Sequence, residues 1–413
     1  MSTPVVTSLV CVLLAGTVAG QVPTVRPKTT PDPYTLGEPA ALKKAGYESL
    51  GPFPFGANHD SSAITELLGS EPLLWIETAH FKIGCALSPL PLKNDEPWRD
   101  DWVARLKQEL KRLATRLPRV KTDVKELDPW LRAHLVAQRV EELYAAMLAN
   151  FGLTESSFPM APDDPAKPAE FRGLGRHFGM KGKFTVLLLR TSASHARYTR
   201  AHHGREIADP IRFQDQQTGS LYWGASEETA EGLFKHDYAL NAHLTFNLAH
   251  NLYSGYRSFS HDLPPWLSTG LAHWHARQVS PRFPTYDRKD DRDKEMRSAF
   301  WEWDKRVPGL LRNGAFKSVP ALLDHPSAGT FDLEQHMQSW AVVEYLMTEH
   351  KPKFMAFVHR MKEPFHARRR APTETEVRLR QLDVLQEVLG WSPEQLEAAW
   401  RLAVLGPGAR GRK

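Results

Sequence analysis

Cysteine is scarce in this chain: its 413 residues include two, Cys11 and Cys85. Cys11 lies in an apolar N-terminal stretch that we expect to be removed, so the mature chain keeps Cys85 alone. A single cysteine cannot form an internal disulfide, and the stability of the mature chain must therefore come from its core. Cys85 continues an alternating apolar pattern with Phe81 and Ile83, which predicts a small buried residue rather than a nucleophile.

The chain also lacks the short motifs that mark several common chemistries. It contains no G-x-S-x-G nucleophile elbow, no phosphate-binding Walker loop, no dinucleotide fingerprint and no C-x-x-C pair. A strong excess of charge is missing too, because 53 Lys and Arg against 48 Asp and Glu give a net charge of +5. No nucleic-acid-binding motif accompanies this mildly basic balance, so we expect no nucleic-acid partner.

Long apolar runs are absent after the first twenty residues. Residues 5–19 are apolar or small, no charged side chain precedes Arg26, and the run ends in small residues at Gly20. This pattern predicts a secretory signal peptide over residues 1–20 and export to the periplasm or the extracellular space. The alternative is an uncleaved anchor, although the run is short for a bilayer span. Nothing later in the chain predicts a stable membrane span.

Proline, glycine and threonine are concentrated in residues 21–60, ahead of the first patterned segment. They predict a linker or an irregular wrapping segment. The hydrophobic pattern divides the rest of the chain. The expected organisation is a signal peptide (1–20), a Pro-rich linker or wrapping segment (21–70), a principal domain (71–280), a helical C-terminal subdomain (281–405) and a disordered tail (406–413).

Periodicity predicts the secondary structure of these regions. Alternation predicts one strand across residues 72–84, a continuous apolar run predicts a central strand at 184–189, and "GSLYWGA" at 219–225 predicts a short edge strand. Apolar spacings of three and four predict helices at 102–117, 131–151, 238–253, 292–305, 333–350, 353–362, 374–389 and 393–404.

The most informative stretch is residues 241–276, NAHLTFNLAHNLYSGYRSFSHDLPPWLSTGLAHWHA. Its first part predicts a helix that carries Phe246, Asn247 and His250, and its second part a helix that carries Thr269. This layout resembles a gluzincin-type metallopeptidase site, in which H-E-x-x-H on one helix and a glutamate on the next bind zinc. "F-N-L-A-H" stands at H-E-x-x-H, and "LPPWLSTGLAHW" resembles the LPxWLxEGLAxY segment of peptidase MA-like domains.

The chemistry that the resemblance implies at these positions is mostly missing. Phe246 has no lone pair and cannot bind a metal ion. Asn247 stands where a glutamate would be the general base, and an amide is not a base at any relevant pH. Thr269 is a poor, neutral zinc ligand. His250 would then be one protein ligand where catalytic zinc sites have three.

We therefore predict a catalytically inactive site with no catalytic residue and no cofactor. Phe246 should fill the former metal cavity, buried against the second helix near Thr269, Leu271 or Trp266. His250 should be a hydrogen-bonded histidine of the core or of a cleft.

A rebuilt metal site is the alternative. His273 lies one turn beyond Thr269, so His250 and His273 with a carboxylate from elsewhere would form a zinc site. His243 and His250 share a helix face but lie two turns, roughly 10 Å, apart, which is too far for one ion. The sequence identifies no third ligand for such a site.

Three further segments resemble the same family. "TAHFKIG" is similar to the opening strand of bacterial peptidase MA-like domains, and "WSPEQLEAAWRLAV" to their closing helix. "QHMQSWAVVEYLM" is similar to their Y-x-x-S-W-A-L-V-x-F-L helix, with His336 at the tyrosine. The resemblance implies an exported bacterial protein with a peptidase-like domain at 71–280. It implies an α+β fold, predominantly helical, with a small mixed sheet packed on a zincin-like motif helix pair and a helical C-terminal half.

Two functions of different classes follow. The first is an exported, catalytically inactive metallopeptidase-like protein that acts as a binding or scaffold protein for an unknown polypeptide or envelope ligand. The second is a zinc-dependent peptidase or hydrolase with a rebuilt metal site centred on His250. A structural envelope component without a cleft ligand is a third interpretation, and the sequence leaves the oligomeric state open.

Overall fold

The computed structural model describes residues 31–92, 98–160, 172–286, 301–365 and 371–406, without the side chains of residues 230 and 231. The predicted signal peptide lies outside the described residues. Residues 292–300 of a predicted helix and residues 407–413 of the predicted tail lie outside them as well.

Six strands form the main sheet, in the spatial order β1-β2-β3-β6-β8-β7. β6 pairs parallel with β3 and with β8, and the other neighbours pair antiparallel. A separate antiparallel pair joins β4 to β5. The strands are β1 Tyr47–Ser49, β2 Leu74–Thr78, β3 Phe81–Cys85, β4 Leu90–Pro91, β5 Glu126–Leu127, β6 Phe184–Leu189, β7 Ile211–Asp215 and β8 Ser220–Ser226.

Helices make up most of the remaining structure, and they dominate after β8. The helices are α1 Pro39–Ala45, α2 Ser61–Leu67, α3 Arg99–Arg116, α4 Pro129–Phe151, α5 Ser192–His203, α6 Thr229–Gly232, α7 Asp237–Gly255, α8 Pro265–Val279, α9 Trp303–Arg312, α10 Val319–Leu323, α11 Leu333–Glu349, α12 Lys351–Met361, α13 Glu374–Val384 and α14 Pro393–Leu405. The mixed sheet and the helical C-terminal half confirm the predicted α+β fold class.

β6 is the central strand, as predicted, and all six of its residues are buried. A continuous apolar run is what a strand needs when helices or loops cover both faces of the sheet. Val186 and Leu188 point into the main core, whereas Leu187 and Leu189 pack on the opposite face in a smaller core that contains Trp75. The sheet therefore separates two apolar layers.

Residues 72–84 form two strands instead of the single predicted strand. β2 and β3 pair antiparallel, with Ile76 opposite Ile83, and the chain reverses at His80. Glu141 of α4 accepts the backbone N–H of His80 at 3.0 Å and lies 2.7 Å from its ring Nδ1. The carboxylate that holds the turn is far away in the sequence. The alternating pattern before and after the turn therefore resembles that of one uninterrupted strand.

The edge strand beside α7 is β7 rather than the predicted residues 219–225, which lie one strand further in as β8. A tight turn joins the two strands: the carboxylate of Asp215 accepts the backbone N–H groups of Gln217 and Thr218, and Gly219 has a φ of 64°. The sequence of β7, IRFQD, does alternate between apolar and polar residues, and this was the signal for the missed strand.

Residues 31–70 are more regular than the wrapping segment predicted for them. They contain α1, β1 and α2, and β1 adds the outermost strand beside β2, with Tyr47 opposite Thr78. A buried chain of hydrogen bonds fastens this segment to α4, because His134 lies 3.1 Å from Asp32 Oδ1 and 2.8 Å from Tyr47 Oη. β1 has three residues, so these tertiary contacts rather than a local pattern decide its pairing.

The C-terminal half is helical, as predicted. α11, α12 and α14 match their predicted ranges to within two residues. The helix predicted at 374–389 is α13 followed by a π-type turn at Leu385–Leu389. The helix predicted at 292–305 overlaps α9 at one end, since α9 begins at Trp303. In the described parts of the chain, no helix is long and apolar enough to cross a membrane.

Candidate functional site

α7 is the predicted motif helix, and it is buried on nearly all sides, which explains its weak amphipathic pattern. A buried ion network holds its N-terminus. Arg139 of α4 donates to both carboxylate oxygens of Asp237 at 2.7 Å and to Glu109 of α3 at 2.6 Å. Trp102 adds a hydrogen bond to Asp237 at 3.3 Å. The start of the motif helix is therefore fixed by two other helices.

α8 is the second helix of the predicted pair, and it packs along α7. It begins at Pro265, where the missing N–H of proline removes no helical hydrogen bond. Gly270 allows α11 to approach, because a Cβ atom at this position would lie 2.6 Å from the backbone oxygen of Ser339. The "LPPWLSTGLAHW" segment therefore combines a helix start with a close helix crossing.

Phe246 is fully buried between the two helices, as expected. It packs in a small separate cluster with Ala249, Ala272 and Ala276, and its ring centroid lies 4.8 Å from that of His273. The expected neighbours Leu271 and Trp266 belong to the main core instead. Side chains four apart share a helix face, so the face of α8 that carries Ala272 and Ala276 is the one that meets the phenyl ring.

Asn247 connects α7 to the edge strand. Its Nδ2 donates to the backbone oxygen of His243 at 2.8 Å, and its Oδ1 accepts a hydrogen bond from Nη1 of Arg212 at 2.5 Å. The first contact fixes which end of the amide faces α7, so the oxygen is directed at β7. The residue that the resemblance aligns with a general base is thus a hydrogen-bond acceptor for an arginine.

His250 and His273 both contact the phenyl ring of Phe246. The ring of Phe246 is 4.8 Å from each of them, centroid to centroid. His273 Nε2 lies 3.0 Å from His336 Nδ1, and burial holds the pKa of His273 well below its ordinary value. His250 is 7% exposed and lines a cleft. The structure thus brings both candidate histidines to Phe246, and it gives His273 an imidazole partner.

The residues at the motif positions do not fit a catalytic zinc ion. They offer one imidazole from His250, a phenyl ring from Phe246, an amide from Asn247 and the hydroxyl of Thr269. Thr269 is fully buried, and its hydroxyl has no hydrogen-bond partner among the described residues. In the same described ranges, no group of three or more His, Cys, Asp and Glu side chains is arranged to hold a metal ion.

A cleft of about 970 Å³ opens beside this site. β7, α7 and the start of α8 form one wall, and the loop 256–264 and segments of the C-terminal half form the rest. Neither Phe246 nor Thr269 reaches it. The lining residues that β7 and α7 contribute are Arg212, Phe213, Gln214, His250, Asn251 and Ser254. The space beside the motif helix is therefore open, although Phe246 and Thr269 are closed off from it.

A buried lysine holds the loop wall of the cleft. Nζ of Lys362 donates to the backbone oxygens of Ser254 at 2.9 Å and His261 at 2.7 Å, and burial lowers the pKa of Lys362 to about 7. His261 Nε2 lies 2.9 Å from the backbone oxygen of Met361. Because these contacts link both ends of the loop to the C-terminus of α12, this wall of the cleft is tied to the helical half.

Sequence reasoning missed Arg212 and Lys362. Arg212 stands 35 positions before Asn247 in an alternating segment, and Lys362 stands 108 positions after Ser254. A basic residue in a strand or at the end of a helix is ordinarily a surface residue. No local signal distinguishes these two from their exposed counterparts.

Comparisons with known proteins leave the site to be interpreted on its own geometry. No protein-family model matches the sequence, and the search of curated proteins found no match.

Proposed function

We propose that this chain is an exported, catalytically inactive metallopeptidase-like protein that binds an extended polypeptide in the cleft. The observation that carries the proposal is the combination of an edge strand in the cleft wall with an altered motif. β7 lines the cleft directly beside α7, while Phe246, Asn247 and Thr269 occupy the positions that the resemblance assigns to zinc ligands and a base. Binding without cleavage is the function that these features support best.

The position of β7 at the edge of the sheet supports polypeptide binding through strand addition. Among the described strands, β7 pairs with β8 alone. An edge strand presents alternating N–H and C=O groups that can pair with an added strand. Five residues extend over roughly 17 Å, so β7 would pair with a peptide of about five residues.

The loss of catalysis rests on the chemistry of the side chains. Asn247 has no basic oxygen, and its amide is already engaged by Arg212 and by His243. Phe246 fills the space between α7 and α8 with a ring that supplies no ligand. A bound peptide would meet neither a metal-activated water nor a general base, and it should leave the cleft intact.

Hydrogen exchange with a peptide probe tests this function. A mixed-sequence hexapeptide pool should slow exchange at the amides of β7 that face away from β8, and mass spectrometry should recover the pool uncleaved. Binding without added protection in residues 211–215 would contradict strand addition. Cleavage of the pool would contradict the loss of catalysis.

Export is the second part of the proposal, and it rests on the sequence of residues 1–20. N-terminal sequencing of the mature protein should begin near Gln21, and cell fractionation should find the protein outside the cytoplasm. A mature protein that begins at Met1 and stays in the cytoplasm would contradict this part alone.

A further inference from the structure

Three histidines lie together beside the smaller core, next to the edge strand. His59 lies between β1 and α2, and His202 and His203 are the last two residues of α5. The rings of His59 and His202 are stacked, with centroids 3.7 Å apart and an interplanar angle of 24°. The ring of His203 lies 3.9 Å from that of Phe213 in β7. These three side chains, which we call the histidine latch, therefore connect the segment before α2 and the end of α5 to the edge strand.

The latch holds a tight turn against α5. Phe53 and Phe55 of this turn are buried in the smaller core with Tyr198 of α5. The backbone oxygen of His59 accepts the N–H groups of Phe55 and Gly56, both at 3.1 Å. A Cβ atom on Gly56 would lie 2.2 Å from the ring of His59, so this ring packs closely against the backbone of its own turn. The imidazole therefore contacts the turn as well as the helix.

The surroundings of the latch favour neutral rings. Nε2 of His202 and Nε2 of His203 are buried, and neither atom has a hydrogen-bond partner among the described residues. A proton on either atom would create a buried N–H donor without an acceptor and a positive charge in contact with aromatic rings. Burial lowers the pKa of His202 below its ordinary value, and it lowers the pKa values of His59 and His203 to about 4.

The other titratable groups around the latch do not reverse this preference. The carboxylates of Asp60 and Asp215 favour protonation of the histidines, but burial outweighs them. His195 of α5 is a further buried imidazole, and burial lowers its pKa to about 4. Burial raises the pKa values of the neighbouring Tyr198 and Tyr222, so both phenols stay neutral in acid. The latch histidines also disfavour a proton on one another.

We propose that the histidine latch is a pH-sensitive switch, which holds the turn and the end of α5 beside β7 at neutral pH and opens in acid. Protonation of one stacked ring would place a charge against a second imidazole, so the open state binds protons better than the closed state. Because His203 contacts Phe213, opening removes packing from the strand that lines the cleft. The inference rests on the proposed peptide binding in this one respect, and it adds a regulation of that site.

The sign of the effect follows from the lowered pKa values. Between the ordinary histidine pKa of 6.5 and the folded value of about 4, the open state binds protons that the closed state does not. Opening therefore becomes more favourable as the pH falls through this window. Each histidine that gains a proton contributes at most about tenfold per pH unit to the opening equilibrium.

Hydrogen exchange at two pH values tests the latch without a peptide. After correction for the intrinsic pH dependence of exchange, residues 53–60 and 198–204 should exchange at least about tenfold faster at about pH 5 than at about pH 7. The buried strand β6 should show a smaller change. The triple variant His59→Phe, His202→Phe and His203→Phe keeps three rings that cannot be protonated, and its corrected rates should be equal at the two pH values.

Two single variants support the comparison. His202→Phe should reduce the acceleration in part, and it provides the test if circular dichroism shows that the triple variant does not fold. His325→Phe is the matched control, because His325 is a half-buried histidine of the C-terminal half whose pKa burial also lowers. This control should retain the full acceleration in residues 53–60 and 198–204.

Peptide binding is the second readout. The hexapeptide pool should bind the wild type less tightly at the lower pH and bind the triple variant equally at both. Equal corrected exchange rates in the wild type would overturn the latch. An acceleration that persists in the triple variant, or in His202→Phe at full size, would assign the response to other groups and would overturn it too. If the pool binds at neither pH, the proposed function fails, and the exchange rates alone decide on the latch.

Discussion

The two ends of the buried part of α7 differ in the charge of their side chains. At the N-terminus, Arg139 lies within 2.7 Å of both Glu109 and Asp237, and all three side chains are buried. Two turns or more along the helix, Phe246 and Asn247 are buried just as fully but carry no formal charge. One helix therefore carries a compensated ionic cluster at its start and uncharged side chains at the motif positions.

The pKa directions explain the difference. Burial alone would raise the pKa of Asp237, but Arg139 outweighs burial and holds this pKa below its ordinary value. The two carboxylates in turn raise the pKa of Arg139 against the effect of burial. A carboxylate at position 247 would have Arg212 beside it, whereas the hydroxyl of Thr269 has no hydrogen-bond partner among the described residues. Because a buried carboxylate without a cation costs several kcal/mol, we expect a glutamate at position 269 to need a metal ion or another cation to compensate it.

The largest expected effect comes from breaking the ionic cluster. Arg139→Met should destabilise the protein by ~3–5 kcal/mol, since Glu109 and Asp237 would be left buried without their cation. Arg112→Met is the matched control, because Arg112 pairs with Glu142 at the surface at 2.8 Å, and exposed pairs contribute less than about 1 kcal/mol. Urea unfolding of both variants measures the difference. Similar small losses would show that the cluster is solvated.

The cluster also sets a pH dependence. The folded pKa of Asp237 is depressed, so its contribution to stability is present above the unfolded pKa near 3.8 and is lost as the pH falls through the folded pKa. Acid unfolding of Asp237→Asn should therefore lack part of the stability loss that the wild type shows below this value.

The uncharged end of the comparison depends on Phe246. Phe246→Ala should destabilise the fold by ~3–5 kcal/mol through lost burial and a residual cavity among the alanines that surround the ring. His250→Ala should cost less, because His250 lies at the margin of the cleft. Thermal melts of both variants test the order. A neutral Phe246→Ala together with a functional loss in His250→Ala would contradict the inactive site.

Substitutions that introduce zinc ligands would place a compensated charged site at the motif positions too. The wild type should retain no stoichiometric zinc after dialysis against trace zinc, whereas Phe246→His, Asn247→Glu and Thr269→Glu together should bind one ion. Thr269 lies one turn before His273, which contacts Phe246, so positions 246 and 269 lie on helix faces that meet. Thr269→Glu alone should destabilise the fold. Elemental analysis decides between the outcomes, and zinc in the wild type that is lost on His250→Ala would favour the rebuilt site.

Lys362 is a buried basic residue that differs from Arg139 in its partners. Its ammonium group donates to backbone carbonyl oxygens, and none of the ion pairs among the described residues includes it. Burial lowers its folded pKa to about 7 from 10.5, so between these values the unfolded chain binds a proton that the folded chain does not. The free energy of unfolding should therefore rise with pH in this window, by at most about 1.4 kcal/mol per pH unit. Lys362→Met should flatten that slope in urea titrations, and equal slopes would contradict the lowered pKa.

Much of the fold follows from local patterns. The solid apolar run of β6, the three-and-four spacing of α3, α4 and the C-terminal helices, and Gly152 after α4 are each visible in the sequence. The missed elements are short. β1 has three residues and β7 has five, and strands of this length are stabilised by partners that lie far away in the chain.

The sequence by itself determined that Phe246 cannot bind a metal ion and that Asn247 cannot act as a base, since these abilities depend on the identity of the side chain and not on its surroundings. It also determined the helix pair that carries Phe246 and Thr269. Only the tertiary structure decided which neighbours surround the phenyl ring, which strand forms the edge of the cleft, and that Arg212 reaches Asn247. These depend on contacts between residues far apart in sequence, and no local periodicity encodes such contacts.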